Sequence, residues 1–546
     1  MPTLTWVSRD DDLKRAAAAP YRLLEAVPEL GAGDPASGNM LIQGDNLDAL
    51  KALLPYYAGR VKCIYIDPPF NTGEAFPNYD DNLEHSIWLS MVFPRLTLLR
   101  DLLSENGTLV VHLDANEVAY ATVLLDEIMG RQNRTYVVTF KQSAPKGHKT
   151  INPGLVTTSN YILIYAKSKS KWLPNRAFAS RPRDRRYSSF IENIADDMQE
   201  WRLTTVNQAF CRSLGFAKLA DAKKALKNEF DGMLDGFVLE NAEQVVQPVS
   251  PDTAEVAKET QELIALSEAN PKATYRIDRE DKLPIILRAG KRWLFYSSKL
   301  RLIDGKYTTG EALSNVWDDL LSNNIHNEGD VKFPKGKKPE GLLKRTFDLF
   351  SERGDLVLDS FLGSGTTAAV AHKMGRRWIG IEMGEHAETH CVPRLSKVIA
   401  GEQGGVSQAV GWQGGGGFAF YRLGDPVFDD AGRINPTIRF AHLAAHVWFS
   451  ETGTPLVSEA TGPWLGVANP GAGGRGLALL YNGILGDKSV SGGNVLTVAL
   501  LKRLRADGGG WTGPITIYGE ASRIGPERLK AEGVTFKQTP YDVRAR

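Results

Sequence analysis

The chain has 546 residues, 42% hydrophobic and 24% charged, a globular composition with enough apolar content for two or three cores. A net charge of +1 excludes a polyelectrolyte, and no apolar run reaches the ~18 residues of a membrane-spanning helix, so with its polar N-terminus MPTLTWVSRDDDLKR a soluble, cytoplasmic protein is expected. Three cysteines (Cys63, Cys211, Cys391) and nine histidines without HExxH or paired Cys/His spacing leave no disulfide framework or four-ligand zinc site, and no metal is expected.

Residues 1–38 read as an arm ending in AVPELGAGDPASG. From Asn39, NMLIQGDNLDALKALLPYY reads as strand, turn and helix, with Asp45 or Asn46 as the helix cap. Val61–Ile66 (VKCIYI) has the β-branched and aromatic character of a buried strand and stops at Asp67-Pro68-Pro69-Phe70. Two successive prolines fix φ, remove two N–H donors and push their predecessors out of the helical region. The result is a rigid corner carrying a carboxylate, outward carbonyls and an aromatic ring, at the strand end where open α/β sheets bind ligands. A polar loop follows over Asn71–Asp81, then a helix predicted over Glu84–Ser104 with a kink at Pro94, a strand over Thr108–Leu113 and a helix over Glu117–Met129. His112 and Asp114 end a strand near the predicted cleft and read as structural or substrate-supporting. Strands over Tyr136–Lys141 and Asn160–Lys167 are joined by the loop SAPKGHKTINPGLVTTS, whose Gly, Pro, Lys and Thr suit a path along phosphates.

Charge is concentrated even though the net value is small. Residues 131–190 hold thirteen Lys or Arg against one acid, Asp184, an electrostatic footprint suited to a nucleic-acid backbone. From about 172 to 310 the pattern changes to basic, aromatic-interleaved segments (RPRDRRYSSF), charged helices and the hairpin-like KLPIILRAGKRWLFYSSKLRLIDG. Strand–helix alternation resumes over 311–400. There DLVLDS runs into Phe361-Leu-Gly363-Ser-Gly365-Thr366-Thr367, a helix AAVAHKMG follows, and the strand Arg377–Glu382 closes on an acid. The glycines permit a tight turn and close backbone approach, the helix start offers free N–H groups, and a carboxylate at Glu382 can accept both hydroxyls of a ribose. The absent lysine excludes a GxxxxGK[ST] phosphate loop. Residues 401–434 form a Gly-rich linker and a strand (FAFYRL), and 435–546 read as a separate small α/β module.

Alone, DPPF also suits an ordinary strand-ending turn, and Gly363-x-Gly365-x-x-Ala368 also suits a nicotinamide or flavin dehydrogenase. Together they resemble the amino-methylating DNA methyltransferases. In that family a DPPY-type motif holds the target base and an FxGxG motif binds S-adenosylmethionine. The catalytic motif precedes the cofactor motif here, as in the β class, and PTLTW, YIDPPFNTG and FAFYRL resemble Mod subunits of type III restriction-modification systems. Asp67, rather than the Ser usual in cytosine-N4 enzymes, implies adenine N6; Phe70 replaces Tyr and keeps the stacking face.

The resemblance implies an α/β fold: a doubly wound Rossmann-like sheet (39–171 and 311–400), an inserted target-recognition region (172–310) and the small C-terminal module. It implies Asp67, Pro68, Pro69 and Phe70 as catalytic residues. S-adenosylmethionine would be held by Asp45, Asn46, Asp359, Phe361, Gly363, Gly365, Thr366, Glu382 and, from the KPxxLL-like FPKGKKPEGLLKR, Lys338. Asp45 as a mere helix cap is an equally serious reading. Double-stranded DNA would meet Lys141, Lys146, Lys149, Arg181, Arg183, Arg185 and Arg186, and a restriction (Res-type) subunit and a second copy of the chain are the further expected partners. Rival readings are a cytosine-N4 or RNA methyltransferase, a dinucleotide-dependent oxidoreductase and a non-catalytic DNA-binding subunit.

Overall fold

The computed structural model describes residues 3–71, 84–144, 154–251, 258–279, 282–320, 328–329, 336–429, 434–469, 473–489, 491–539 and 543. The chain divides into two compact units, Met1–Asn175 with Ser314–Arg546, and Arg176–Leu313.

The larger unit is built on an 11-stranded sheet. Its centre is parallel, in the order Gly417–Pro426, Met40–Gln43, Arg377–Glu382, Leu356–Asp359, Val61–Ile66, Leu103–Leu113. Ile42, Ile64, Ile66, Leu358, Ile379 and Ile381 are each at most 1% exposed. Strands apolar on both faces are what a parallel sheet covered by helices requires. Beyond Leu103–Leu113 the sheet turns antiparallel through Ser159–Ala166 and Arg134–Lys141, with Val316–Trp317 parallel at the edge.

The order reverses between two neighbours. From Val61–Ile66 the chain moves outward to Leu103–Leu113, whereas from Leu356–Asp359 it moves the other way to Arg377–Glu382. Strands 61–66 and 356–359 lie side by side and parallel, with Cys63 opposite Val357 and Ile64 opposite Leu358. This is the switch point at which doubly wound sheets open a crevice beyond their strand ends.

Several expectations are revised. The N-terminal arm is part of the fold: Arg9–Ala18 is a helix, and Arg22–Ala26 is an edge strand antiparallel to Gly417–Pro426. Trp6 anchors it, its ring 5.7 Å from Phe93 and its indole N–H donating to Asp12 at 2.7 Å. The helix His85–Leu102 runs without interruption through Pro94, and the next strand starts at once at Leu103. The C-terminal region has its own sheet, Trp464–Ala468, Arg475–Leu479, Ile515–Gly519 and Val534–Gln538, the last three parallel. It is nevertheless no separate unit. Its helix Phe440–Thr452 buries Leu443, Ala444, Val447 and Phe449 in one core with Leu50, Leu53 and Leu54 of the helix Asn46–Tyr57, and the Tyr56 hydroxyl bonds His442 Nδ1 at 2.9 Å.

The unit Arg176–Leu313 carries a six-stranded antiparallel sheet, a three-stranded sheet and a core around Tyr187, Phe190, Phe210, Phe230 and Tyr296. Its hairpin of Lys282–Arg288 with Lys291–Phe295 turns through Ala289 and Gly290, at φ 52° and 70°. Two positive φ angles define the type I′ turn that matches strand twist. Among the described residues no helix is long and apolar enough to cross a membrane.

Candidate active site

Four parallel strands end on one rim, and each delivers a predicted site residue: Met40–Gln43 leads to Asp45, Arg377–Glu382 to Glu382, Leu356–Asp359 to the glycine turn, and Val61–Ile66 to Asp67. Residues almost 300 positions apart thus become neighbours through the 61–66/356–359 pairing.

The double-proline corner is held from three directions. The Pro69 carbonyl accepts the Trp88 indole N–H at 2.8 Å, so one of the carbonyls expected to face outward serves the scaffold. Asn71, at φ 59°, donates to Glu117 at 2.6 Å, and its carbonyl accepts from Asn116 at 3.1 Å. Glu117 is wholly buried and also meets His85 Nδ1 at 2.9 Å. Behind the corner, Phe70 packs 5.5 Å from His112, which is fixed by the Tyr65 hydroxyl at 2.8 Å and the Asn160 amide at 3.1 Å. Burial, with the Lys338 charge nearby, holds His112 well below its usual pKa, so it is a neutral prop for the aromatic wall. The Asp67 side chain is 17% exposed and ion-pairs with Lys338, whose Nζ also lies 4.6 Å over the Phe70 ring. Burial raises the Asp67 pKa and Lys338 pulls it back.

The glycine turn depends on backbone that only glycine adopts freely: Gly363 sits at φ 55° and Gly365, the cap of the helix Thr366–Lys373, at φ 78°. A Cβ at Gly365 would meet Cys391 only in ordinary contact, its Sγ lying 3.4 Å away, so the positive φ is what favours glycine. Glu382 braces the turn, accepting the Gly363 N–H at 2.7 Å on one oxygen and Met383 N–H at 2.8 Å and His386 at 2.9 Å on the other. Asp359 accepts the Phe361 N–H at 2.9 Å through Oδ1, while its buried Oδ2 has no hydrogen-bond partner among the described residues. Burial and the nearby Asp67 charge push its pKa well up. Asp45 caps its helix through the Leu47 N–H at 2.8 Å, and Asn46 ties that helix to the turn through the Ser360 carbonyl at 2.7 Å.

Sequence reasoning missed the residues that brace these parts. Arg95, almost buried in an apolar helix, bonds Asp45 at 2.9 Å and Asn46; a lone arginine in such a run was the available signal. Arg394, fully buried, joins the Thr366 hydroxyl at 2.7 Å and the Ser364 carbonyl at 3.2 Å to Glu340 at 2.8 Å. The Thr366 hydroxyl therefore faces this brace. Lys338, expected near the cofactor, lies at the double-proline corner.

The basic residues have a different fate. Lys146 and Lys149 lie outside the described residues, and Lys141 ends the strand Arg134–Lys141. Arg183, 11% exposed, is bound to Asp235 at 2.6 Å; Arg186 pairs with Asp184 at 2.7 Å, Arg181 with Glu311 at 3.5 Å and Arg185 with Asp231 at 4.0 Å. Acids distant in sequence thus partner Arg181, Arg183 and Arg185, whereas Arg186 pairs within the block itself.

A DNA methylase family profile matches residues 61–392, from the double-proline strand past the glycine turn. The chain belongs to the N6/N4 DNA methylase family. It is 34% identical over 412 residues to the probable type III restriction-modification enzyme HindVI Mod subunit of Haemophilus influenzae, covering 72% of this chain and 54% of that protein. It is 27% identical over 396 residues to the EcoPI Mod subunit of Escherichia phage P1 (62% and 55%) and 26% over 366 residues to the StyLTI Mod subunit of Salmonella typhimurium (61% and 49%). The chain spans about half the length of these relatives.

S-adenosylmethionine is the methyl donor of this family, and residues at these strand ends have the chemistry to fit it. The unpartnered Asp359 Oδ2 is an acceptor for an ammonium group, the open face of Gly363 admits close approach, and Glu382 closes the neighbouring strand. Asp359, Phe361, Gly363, Gly365 and Glu382 gather at the ends of two adjacent parallel strands, and Asn46 is tied to this turn through the Ser360 carbonyl.

Proposed function

We propose that this methylase transfers a methyl group from S-adenosylmethionine to N6 of an adenine flipped out of double-stranded DNA, as the modification component of a restriction-modification system. A Res-type subunit and a second copy of the chain are its proposed partners, and the unit Arg176–Leu313 is its proposed target-recognition region. One observation carries the reading: the double-proline corner and the glycine turn end adjacent parallel strands, so that a base and a methyl donor held there would share one crevice.

When bound, the cofactor supplies a sulfonium-activated methyl group. The residues of the chain prepare the nucleophile. An exocyclic amine conjugated with its ring is a weak nucleophile until acceptors bind its N–H groups. Asp67 and the Pro68 carbonyl are the proposed acceptors, and Phe70 is the surface on which the flipped ring stacks. Proline rigidity, the Trp88 bond and the Asn71–Glu117 bond fix that geometry before the base arrives, lowering the orientational cost of the step. Asp67 accepts the N–H bond, and the proton that N6 loses as it gains the methyl carbon leaves along it. Lys141 and the exposed Arg185 and Arg186 are proposed backbone contacts, whereas Arg183 supports the fold.

Asp67→Ala should retain cofactor and DNA binding and lose transfer of tritiated methyl groups by at least about a hundredfold, the usual size of a general acid–base contribution. Near-normal transfer would remove Asp67 from the chemistry. Mass spectrometry of nucleosides from methylated DNA distinguishes N6-methyladenine from N4-methylcytosine, and methylome sequencing of a host expressing the chain gives the sequence context.

A further inference from the structure

Lys338 presents to the double-proline corner what an exocyclic amine would present. Its ammonium donates to Asp67 Oδ2 and lies 4.6 Å over the Phe70 ring, so one group occupies both the proposed amine acceptor and the proposed stacking face. A base amine and this ammonium compete for the same oxygen and the same ring surface. We propose that Lys338 is a displaceable occupant of the base pocket, holding Asp67 and Phe70 while no base is bound and swinging out when the target base arrives. The proposal rests on the base-methylating function proposed for this corner.

The surrounding backbone argues for a swinging side chain rather than a moving loop. Lys337 reaches the Glu328 carbonyl, and the Glu340 N–H donates to Glu328 at 2.9 Å. Glu340 is wholly buried between Arg394 at 2.8 Å and Lys373 at 2.9 Å, and Arg394 is bonded to the glycine turn. Residue 338 is thus flanked by anchored neighbours, and its four-carbon stem is the free element. The Gly336 carbonyl, already 3.4 Å from Nζ, offers a second acceptor near its root.

The exchange has a selective consequence. An unoccupied pocket would leave a mostly buried carboxylate unpaired, so something must sit there. A base that brings both an N–H donor and an aromatic face replaces both of the lysine's contacts. A base lacking the amine replaces only one, and the lysine stays. Lys338 would therefore act as a positioning residue that screens flipped bases before the methyl step.

The test uses a duplex carrying the methylome-derived target sequence, with 2-aminopurine, which lacks the 6-amino group, in place of the target adenine. With the wild-type chain the emission rise on binding should be small, and Lys338→Met should increase it at least about threefold, because an occupied state reduces apparent affinity by its population. An equal or smaller rise overturns the proposal. So does loss of S-adenosylhomocysteine binding by the variant, which would make Lys338 a cofactor ligand.

A second readout uses the natural target. Asp67 faces Lys338 from the 336–339 segment, Asp359 and Glu382 from the two next strand ends and Tyr65 from its own strand. Removing the lysine charge raises the proton affinity of Asp67 in the free enzyme, moving the acid limb of kcat/KM up by about one pH unit. The acid limb of kcat reports the base-bound complex, from which Lys338 has left, and should keep its midpoint; an equal shift in both overturns displacement. Lys338→Arg, with its bidentate grip on a carboxylate, should raise KM for the duplex, and a lowered KM counts against the proposal. A wild type that methylates no DNA refutes the proposed function itself, whereas active wild type with these variants unmoved refutes Lys338 displacement alone.

Discussion

At the scale of single residues, the site combines two carboxylates that resist ionisation. Asp359 is 1% exposed, with its pKa raised well above 3.8 by burial and by Asp67. Its folded-state value exceeds the unfolded one, so its contribution to stability is present below pH 3.8 and is lost as pH rises through the raised value. Asp359→Asn should therefore melt a few degrees higher at neutral pH, a gain of about 1–3 kcal/mol, and bind S-adenosylmethionine at least about tenfold more weakly. Calorimetry and isothermal titration would check the two halves. Asp67 gives a second expectation of the same sign. Its ionised form accepts the amine, and burial raises its pKa, so wild-type kcat/KM should fall on the acid side at a pH above the ordinary carboxylate range. The corner at Asp67 and the two-glycine turn were legible in the sequence because their geometry follows from local backbone chemistry, prolines that stiffen and glycines that permit. Arg95, Glu117 and Arg394 were not, because a buried charge acquires its meaning from partners that only the folded chain supplies.

At the scale of elements, the glycine turn and the 336–339 segment are fastened together by a buried ionic cluster. Glu340, Lys373 and Arg394 are each fully buried, and Glu402 completes the set at 2.7 Å from Lys373. Removing one member strands the others, so Glu340→Ala should lower stability by about 3–5 kcal/mol, whereas Glu340→Gln, which keeps the shape and some hydrogen bonds, should cost about 1–3 kcal/mol. Thermal unfolding of the two variants beside wild type would separate them. Strand and helix alternation around the two motifs was readable from periodicity. The helix continues through Pro94 because a proline's local penalty can be outweighed by packing: Trp88, Leu89, Val92, Phe93, Leu96 and Leu99 of that helix are all buried. The N-terminal arm was misread because the partner of Arg22–Ala26 lies about 400 residues away.

At the scale of the whole molecule, the two compact units make different predictions. Arg176–Leu313 closes its own sheets over its own aromatic core and should fold when expressed alone, with cooperative melting by circular dichroism. The region after residue 434 should not be separable. It shares a core with the helix Asn46–Tyr57 and holds it through Tyr56–His442 and the Arg60–Leu456 carbonyl bond at 3.2 Å, so truncation there should yield insoluble protein. Composition could identify a small α/β pattern at the C-terminus, yet could not reveal that its apolar helix closes the first core.

The pairing of Val61–Ile66 with Leu356–Asp359 also constrains synthesis. This buried strand leaves the ribosome with one edge bare, and its mate follows about 290 residues later, an interval of roughly 15–60 s at ordinary elongation rates. Throughout that wait the growing polypeptide exposes a ready template for mispairing, which makes its yield in a cell depend on chaperone capture and translation speed as much as on the final thermodynamics.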